Sequence, residues 1–129
     1  MTSHTVARFL VTAFFAVVFI QSALDKLVDR AGNLAYLTDH FKKSPLAAQA
    51  PLLLSVLTLI EATAGVLCAL GLLTFSFARV GFGIAACGVT VSGIALLCLL
   101  VGQRLAQDYA GAAVVAAYFA VAVVGIGYF

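Results

Sequence analysis

The sequence predicts an all-α integral membrane protein, a four-helix bundle in which residues 1–129 form a single domain. Four long apolar stretches occupy most of the chain, and almost every charged residue lies between them. Hydrophobic residues make up 64% of the chain and charged residues only 9%, against roughly 25% charged residues in soluble domains. A soluble domain this small leaves much of its surface in water, so the membrane must be the solvent for this apolar surface.

The predicted spans are about 20 residues long or longer, the length that an α-helix needs to cross ~30 Å of hydrocarbon at ~1.5 Å per residue. The first span resembles a signal peptide because Arg8 precedes its apolar run. Asp25 and Lys26 follow that run in place of a small-residue cleavage site, so we expect a retained helix. The four spans are Thr5–Leu24, Pro51–Leu73, Ala78–Gly102 and Tyr109–Phe129.

The connection between the first two spans is predicted to contain a short amphipathic helix that lies at the membrane surface. Leu34, Leu37 and Phe41 are spaced i, i+3 and i+7, which places them on one face of a helix. The connection covers Asp25–Ala50, and we expect its helix to start at Gly32-Asn33 and to end at Ser44-Pro45.

Two features fix how the second span begins and ends. Pro51 is tolerated in a first helical turn, whereas it would kink a helix that began at Leu46. The turn Thr74–Phe77 is so short that the second and third spans must be antiparallel neighbours.

Small residues recur along the third and fourth spans at spacings that let helices approach closely in lipid. These faces pack either within the bundle or against a helix of a partner subunit. The three cysteines lie within spans, form no C-x-x-C pair and are expected to pack as small apolar residues. The residues are Gly81, Ala85, Gly88, Ser92 and Gly93 in the third span, Gly111, Ala112, Ala113, Ala116, Ala117 and Ala120 in the fourth, and Cys68, Cys87 and Cys98.

Glu61 is the outlier among the apolar residues of the second span. It lies about ten residues, or ~15 Å of helical rise, beyond Pro51 and therefore near the middle of the membrane. A carboxylate there is costly unless it is paired, protonated or in contact with water. Two interpretations stay open: a functional intramembrane acid, or a structural bond between helices. We expect it to face the bundle interior and to bond to one of Gln21, Ser22, Lys26, Thr63 and Tyr118.

Asp25 and Lys26 form a second candidate polar site at the end of the first span. The long stem of Lys26 lets its ammonium reach inward. The expected distance to Glu61 is about two to three helical turns, too long for a direct bond unless the first helix continues past Leu24. Arg104 and Asp108, between the third and fourth spans, share this membrane face.

The remaining polar residues give an orientation but no metal site. His4 and His40 fall on opposite membrane faces, so they cannot ligate one metal ion together, and each is expected to be solvated or interfacial. The positive-inside rule places the face richer in Lys and Arg in the cytoplasm and both chain ends outside. That face carries Lys26, Arg30, Lys42, Lys43 and Arg104, and the other carries Arg8 and Arg79.

Several short motifs follow one another in an order that resembles a known family. They are Ser22-Ala23-Leu24-Asp25-Lys26-Leu27, Glu61 followed by Ala64-Gly65-Val66-Leu67, Leu70-Gly71-Leu72-Leu73-Thr74, Asp108 at the start of the fourth span, and Gly125-Ile126-Gly127. In this order and spacing the chain resembles, over essentially its whole length, the DoxX family of small four-helix membrane proteins. It departs from the family at Phe75, where an arginine often follows the turn; Arg79 comes four residues later.

The resemblance implies a connection with quinone-coupled sulfur oxidation or with oxidative-stress systems. No complete catalytic or cofactor motif is present, and a quinone or a bound lipid is the ligand that this interpretation admits. The net charge of +2 is too small to indicate nucleic-acid binding. Whether the chain is an enzyme is left open.

Three functional hypotheses follow for a multi-pass protein that we expect in a bacterial inner membrane. The first is a small accessory subunit of a larger respiratory or photosynthetic assembly, with membrane lipids and other membrane subunits as partners. The second is a quinone-interacting oxidoreductase subunit. The third, a transporter or proton path, has least support because the chain has one mid-membrane acid and no internal repeat. The candidate polar or quinone-binding residues are Glu61, Lys26, Asp25, Asp108 and Arg104.

We predict that the segment around Ala35 lies at the membrane surface. A cysteine introduced at Ala35 in a cysteine-free background should react in opened membranes with a membrane-impermeant maleimide. A cysteine at Leu59, in the middle of the second span, should not react. Equal protection of the two positions would contradict the surface location of this segment.

Overall fold

The computed structural model describes residues 2–129, and five α-helices account for most of them. Two short 3₁₀ turns, Ala47–Gln49 and Phe75–Phe77, precede the third and fourth helices. No β-strand occurs within the described residues. The helices are α1 (Ser3–Val28), α2 (Arg30–His40), α3 (Ala50–Leu73), α4 (Arg79–Leu105) and α5 (Tyr109–Ile126).

Helices α1, α3, α4 and α5 are each long and apolar enough to cross a membrane, which confirms the predicted all-α fold with four spans. Their ends differ from the predicted ones. Helix α1 continues to Val28, beyond the predicted end at Leu24, and α5 ends at Ile126 instead of Phe129. Pro51 lies in the first turn of α3, so the helix begins where proline costs no hydrogen bond.

The connection between α1 and α3 contains a short helix, which starts earlier than the glycine at position 32 suggests; its predicted location at the membrane surface stays a prediction. Only Asp29 separates α1 from α2, and its carboxylate accepts a hydrogen bond from the Gly32 N–H at 3.1 Å. Helix α2 ends at His40, and Phe41 then turns inward, where it is 7% exposed. The expected start at Gly32-Asn33 is therefore wrong, because an aspartate cap lets α2 begin almost directly after α1.

Helix α3 is the centre of the bundle, since it packs most extensively against both α1 and α4. A Cβ atom at Gly65 would lie 2.9 Å from the backbone nitrogen of Ile20 in α1. A Cβ atom at Gly88 in α4 would lie 2.8 Å from the backbone nitrogen of Cys68 in α3. Glycine at these two positions allows the backbones to touch, which is how helices gain packing energy in lipid.

The small residues of the third span all face the interior. Gly81, Ala85, Gly88, Ser92 and Gly93 are buried, so this face packs within the bundle. Of the cysteines only Cys68 is buried; Cys87 and Cys98 lie on the outer surface. The expectation that all three pack inside is therefore wrong for the two cysteines of α4.

Helix α5 lies at the edge of the bundle. It packs mainly on α4 and only lightly on α1, and its buried residues are Ala112, Ala122 and Gly125. An apolar groove of about 500 Å³ separates α5 from the first half of α1. Four further small residues are exposed and form what we call the outward alanine face, which borders the groove at its last member: Ala113, Ala116, Ala117 and Ala120.

The two ends of the bundle differ in chemistry. The charged end comprises the segment from Asp25 to Ser44 and the α4–α5 turn, and both parts meet there as predicted. At the opposite, terminal end, the Arg8 side chain donates to the carbonyl of Tyr128 at 2.5 Å. The same guanidinium lies 4.7 Å from the centre of the Phe82 ring, so Arg8 holds the last residues of the chain against α1 and α4.

We predict that Gly65→Ala destabilises the bundle, because the added methyl group meets the backbone of α1 and the helices must separate. The expected loss is about 1–3 kcal/mol of unfolding free energy, seen as a lower melting temperature in detergent. Gly83→Ala is the matched control, since a Cβ there has no neighbour within 4 Å, and it should be neutral or slightly stabilising. Equal melting temperatures for the two variants would contradict close α1–α3 contact.

Candidate functional site: a buried polar cluster between α1 and α3

Glu61 lies near the middle of α3 and its side chain points toward α1. It is 1% exposed, so the carboxylate is removed from lipid and from bulk water. Thr58, one turn earlier on the same face, is also buried, and its hydroxyl donates to the Leu54 carbonyl at 2.6 Å. Glu61 is thus the one charged side chain on the buried face of α3.

Helix α1 supplies two donors to the Glu61 carboxylate. Ser22 and Lys26 are four residues apart and therefore share one face of α1. The Ser22 hydroxyl donates to Glu61 Oε2 at 2.5 Å, and Lys26 Nζ lies 3.1 Å from the same oxygen. Lys26 Nζ also donates to Ser22 Oγ at 2.8 Å. The three side chains form a closed set of hydrogen bonds, which we call the polar cluster.

Within the polar cluster, the positive charge of Lys26 balances the negative charge of Glu61. The Lys26 side chain is 15% exposed and that of Glu61 is 2% exposed, so little water screens the ion pair. Every buried side-chain nitrogen or oxygen within residues 2–129 has a hydrogen-bond partner. Removal of one member of such a pair typically costs about 3–5 kcal/mol, because an unpaired charge is left behind.

Two features of the fold bring Lys26 within reach of Glu61. Helix α1 continues past Leu24 to Val28, so Lys26 is held on a rigid helix. Gly65, one turn beyond Glu61, lets α3 touch α1 at Ile20. The separation of two to three turns is expected for a first helix that ends at Leu24; because α1 continues past Leu24, the direct bond that a longer helix allows is formed.

Asp25 does not join the polar cluster, although it is adjacent to Lys26 in sequence. Its side chain is exposed, and its nearest polar partner is Asn33 Nδ2, 3.4 Å from Asp25 Oδ2. Of the other candidate partners for Glu61, Thr63 donates to the Leu59 carbonyl of its own helix.

Asp108 and Arg104 belong to a separate group at the α4–α5 turn. The Asp108 carboxylate caps α5 by accepting from the Gly111 N–H at 2.9 Å, a stabilising arrangement at a helix start. It also lies 3.8 Å from His40 Nε2 of α2. Arg104 instead lies over the Tyr109 ring, 4.9 Å from its centre.

His40 and Gln103 link α2 to this turn, a role that no sequence pattern indicates for either residue. His40 Nε2 lies 2.7 Å from Gln103 Oε1, and the imidazole is only 15% exposed. A histidine at the last position of a short helix carries no spacing pattern that points to a partner in a distant turn. The candidate residues therefore fall into two groups at different places, with Asp25 in neither.

The polar cluster offers a carboxylate, a hydroxyl and an ammonium in one hydrogen-bonded chain. In this arrangement the Ser22 hydroxyl accepts a hydrogen bond from Lys26 and donates one to Glu61, so it bridges the two charged groups. The geometry is that of a polar bond joining two helices in an apolar surrounding, and its partly exposed members are Ser22 and Lys26.

We predict that Glu61→Leu lowers stability more than Glu61→Gln. Leucine leaves the Lys26 ammonium and the Ser22 hydroxyl without their acceptor, and we expect a loss of about 3–5 kcal/mol. Glutamine keeps an acceptor for Ser22 and should cost less. The melting temperature in detergent and the folded yield measure both effects.

Two further variants make this test specific. Lys26→Met combined with Glu61→Leu removes both charges and should recover most of the lost stability. Asp25→Asn removes an exposed carboxylate next to Lys26 and should change little. A double variant that is no more stable than Glu61→Leu alone would argue against the ion pair.

Comparison with known proteins agrees with the resemblance seen in the sequence. No curated protein matches the chain. No solved structure matches it either. A family model described as DoxX matches residues 7–93, a region that contains Ser22, Lys26 and Glu61 but not the α4–α5 turn or α5. Since this match covers more than half of the 129 residues, the chain belongs to the DoxX family.

Proposed function

We propose that this multi-pass membrane protein is a small accessory subunit of a larger membrane assembly of the respiratory or photosynthetic type, in a bacterial inner membrane. The observation that carries the proposal is the uncovered side of α5. This helix has the lowest buried share of the four spans, 22% of its most apolar window. Its outward alanine face and the groove beside α1 are open within the described chain.

The chemistry of the alanine face supports a helix as its partner. Lipid tails are as apolar as leucine, so apolar side chains alone do not bring transmembrane helices together. Small residues do so by letting backbones come close, which adds van der Waals contact. The corresponding small residues of α4 are buried inside the bundle, whereas the alanine face of α5 has no partner among residues 2–129. A transmembrane helix of another subunit would complete its packing.

The polar cluster supports a scaffolding role for the rest of the chain. Ser22 and Lys26 occupy Glu61 Oε2 at 2.5 and 3.1 Å, so the mid-membrane acid already bonds two donors from its own chain. Polar side chains of this kind join transmembrane helices with about 1–2 kcal/mol each in model peptides. A rigid α1–α3–α4 unit then presents α5 at its edge.

We predict that Ala116→Leu weakens assembly, because a leucine on the alanine face blocks close helix approach. After affinity purification in a mild detergent, the variant should lose co-purifying membrane proteins and elute at a smaller size than the wild type. Gly83→Leu is the matched control, since it adds the same side chain at an outward position of α4 that has no neighbour within 4 Å. An unchanged assembly in Ala116→Leu, with the wild type purifying only as a monomer, would contradict the proposal.

The second candidate function is a quinone-interacting oxidoreductase subunit, and one observation favours it. Lys26 is the partly exposed charged member of the polar cluster, so its ammonium is placed to donate to a carbonyl oxygen of a lipophilic ligand. The same purification separates the two candidates: a lone monomer that carries stoichiometric quinone in its organic extract supports the second. In that case Glu61→Gln should fold and lose the quinone.

A further inference from the structure

A polar cleft lies at the charged end of the bundle, apart from the polar cluster. It has a volume of about 290 Å³ and separates the connection after α2 from the α4–α5 turn. Lys42, Lys43 and Ser44 line one wall, and Leu105 and Gln107 line the other. The cleft therefore combines two ammonium groups with an apolar side chain at the C-terminal end of a transmembrane helix.

The two lysines of the cleft carry unpaired positive charge. Both residues are exposed, and the only ion pairs found between residues 2 and 129 are Lys26–Glu61 and His40–Asp108. No carboxylate oxygen in that part of the chain therefore lies within 4.0 Å of either ammonium. The backbone N–H of Lys43 also has no acceptor among the hydrogen bonds of this turn.

The charge of the cleft favours an anion. Asp39 also lines the cleft, so the two ammonium groups outnumber the one carboxylate. His40 adds no free donor, because its Nε2 lies 2.7 Å from Gln103 Oε1. A phosphodiester carries one negative charge and can be held between the two ammonium groups.

The position of the cleft indicates that the phosphodiester belongs to a membrane lipid. Leu105 is the last residue of the α4 span and is 40% exposed. The ends of transmembrane helices lie at the depth of lipid head groups, and basic pockets between such helices bind anionic head groups. An apolar wall beside two ammonium groups suits a molecule that has a charged head and an acyl chain.

We propose that this cleft binds the head group of an anionic phospholipid, with the phosphodiester between the ammonium groups of Lys42 and Lys43. The site is independent of α5 assembly, since neither lysine lies on α5 or in its groove. A lipid held here bridges the α2–α3 connection and the α4–α5 turn, two segments otherwise joined through His40.

The test is a titration of the full chain, purified in a non-ionic detergent, with phosphatidylglycerol while the melting temperature is followed. Phosphatidylcholine and inorganic phosphate at matched ionic strength are the comparison probes. Phosphatidylglycerol should raise the melting temperature, and the other two should not. Lys42→Gln with Lys43→Gln should weaken the apparent affinity roughly 30-fold, at about fivefold for each lysine near an anionic lipid.

Three variants separate the cleft from general charge and from misfolding. Arg30→Gln with Arg79→Gln removes two positive charges outside the cleft and should leave the phosphatidylglycerol response intact. Lys42→Arg with Lys43→Arg keeps the charge and should retain binding. Asp39→Asn removes the opposing carboxylate and should tighten binding several-fold, a gain that misfolding cannot produce.

Several results would overturn the proposal. One is an equal loss of response in the lysine pair and in the arginine control pair, which would mean general electrostatic attraction. Another is an equal shift with phosphatidylcholine. A third is a shift with inorganic phosphate alone as large as that with phosphatidylglycerol, since the ligand would then not be a lipid.

Discussion

The contact between α1 and α3 at Gly65 is the constraint on which the rest of the bundle depends. Because the two backbones meet at Ile20, the next turn of α1 carries Ser22 and Lys26 directly against Glu61. A bulkier residue at position 65 would separate the helices and leave a carboxylate and an ammonium partly unpaired in an apolar medium, where each is costly. The close packing of α1 and α3 at Gly65 is therefore also a requirement for the pairing of Lys26 with Glu61.

The helices differ in how firmly they are held. Helix α3 contacts α1 on one side and α4 on the other, and both contacts rely on glycine. Helix α5 depends on α4 and has little contact with α1. The DoxX match, residues 7–93, runs from α1 through α3 to the middle of α4. The part of the chain with the family likeness is thus also the part that packs most completely.

The number of spans and the inward direction of Glu61 could be predicted from the sequence, because segment length and the cost of a lipid-exposed carboxylate decide them. The length of α1 could not, since Asp25 and Lys26 look like the end of a span when neighbouring helices are unknown. The contact between His40 and Gln103 joins two connections far apart in sequence, and no local pattern specifies it. Local sequence also does not tell which alanines of the fourth span are buried, because that depends on where α4 lies.

The attachments of α5 have a mechanical consequence. At its start, Asp108 and the adjacent Gln103 are held to α2 through His40, and α2 follows α1 after a single residue. Just beyond its end, the carbonyl of Tyr128 is held by Arg8 of α1. Between these points α5 contacts α1 lightly, as in the edge-to-face pair Phe14–Tyr118 with ring centres 5.5 Å apart, and the groove opens beside these contacts. A helix fixed at both ends and held only lightly along one side widens that groove by bowing outward, so a molecule that enters there must bend α5 and part its few contacts with α1 rather than swing the helix away.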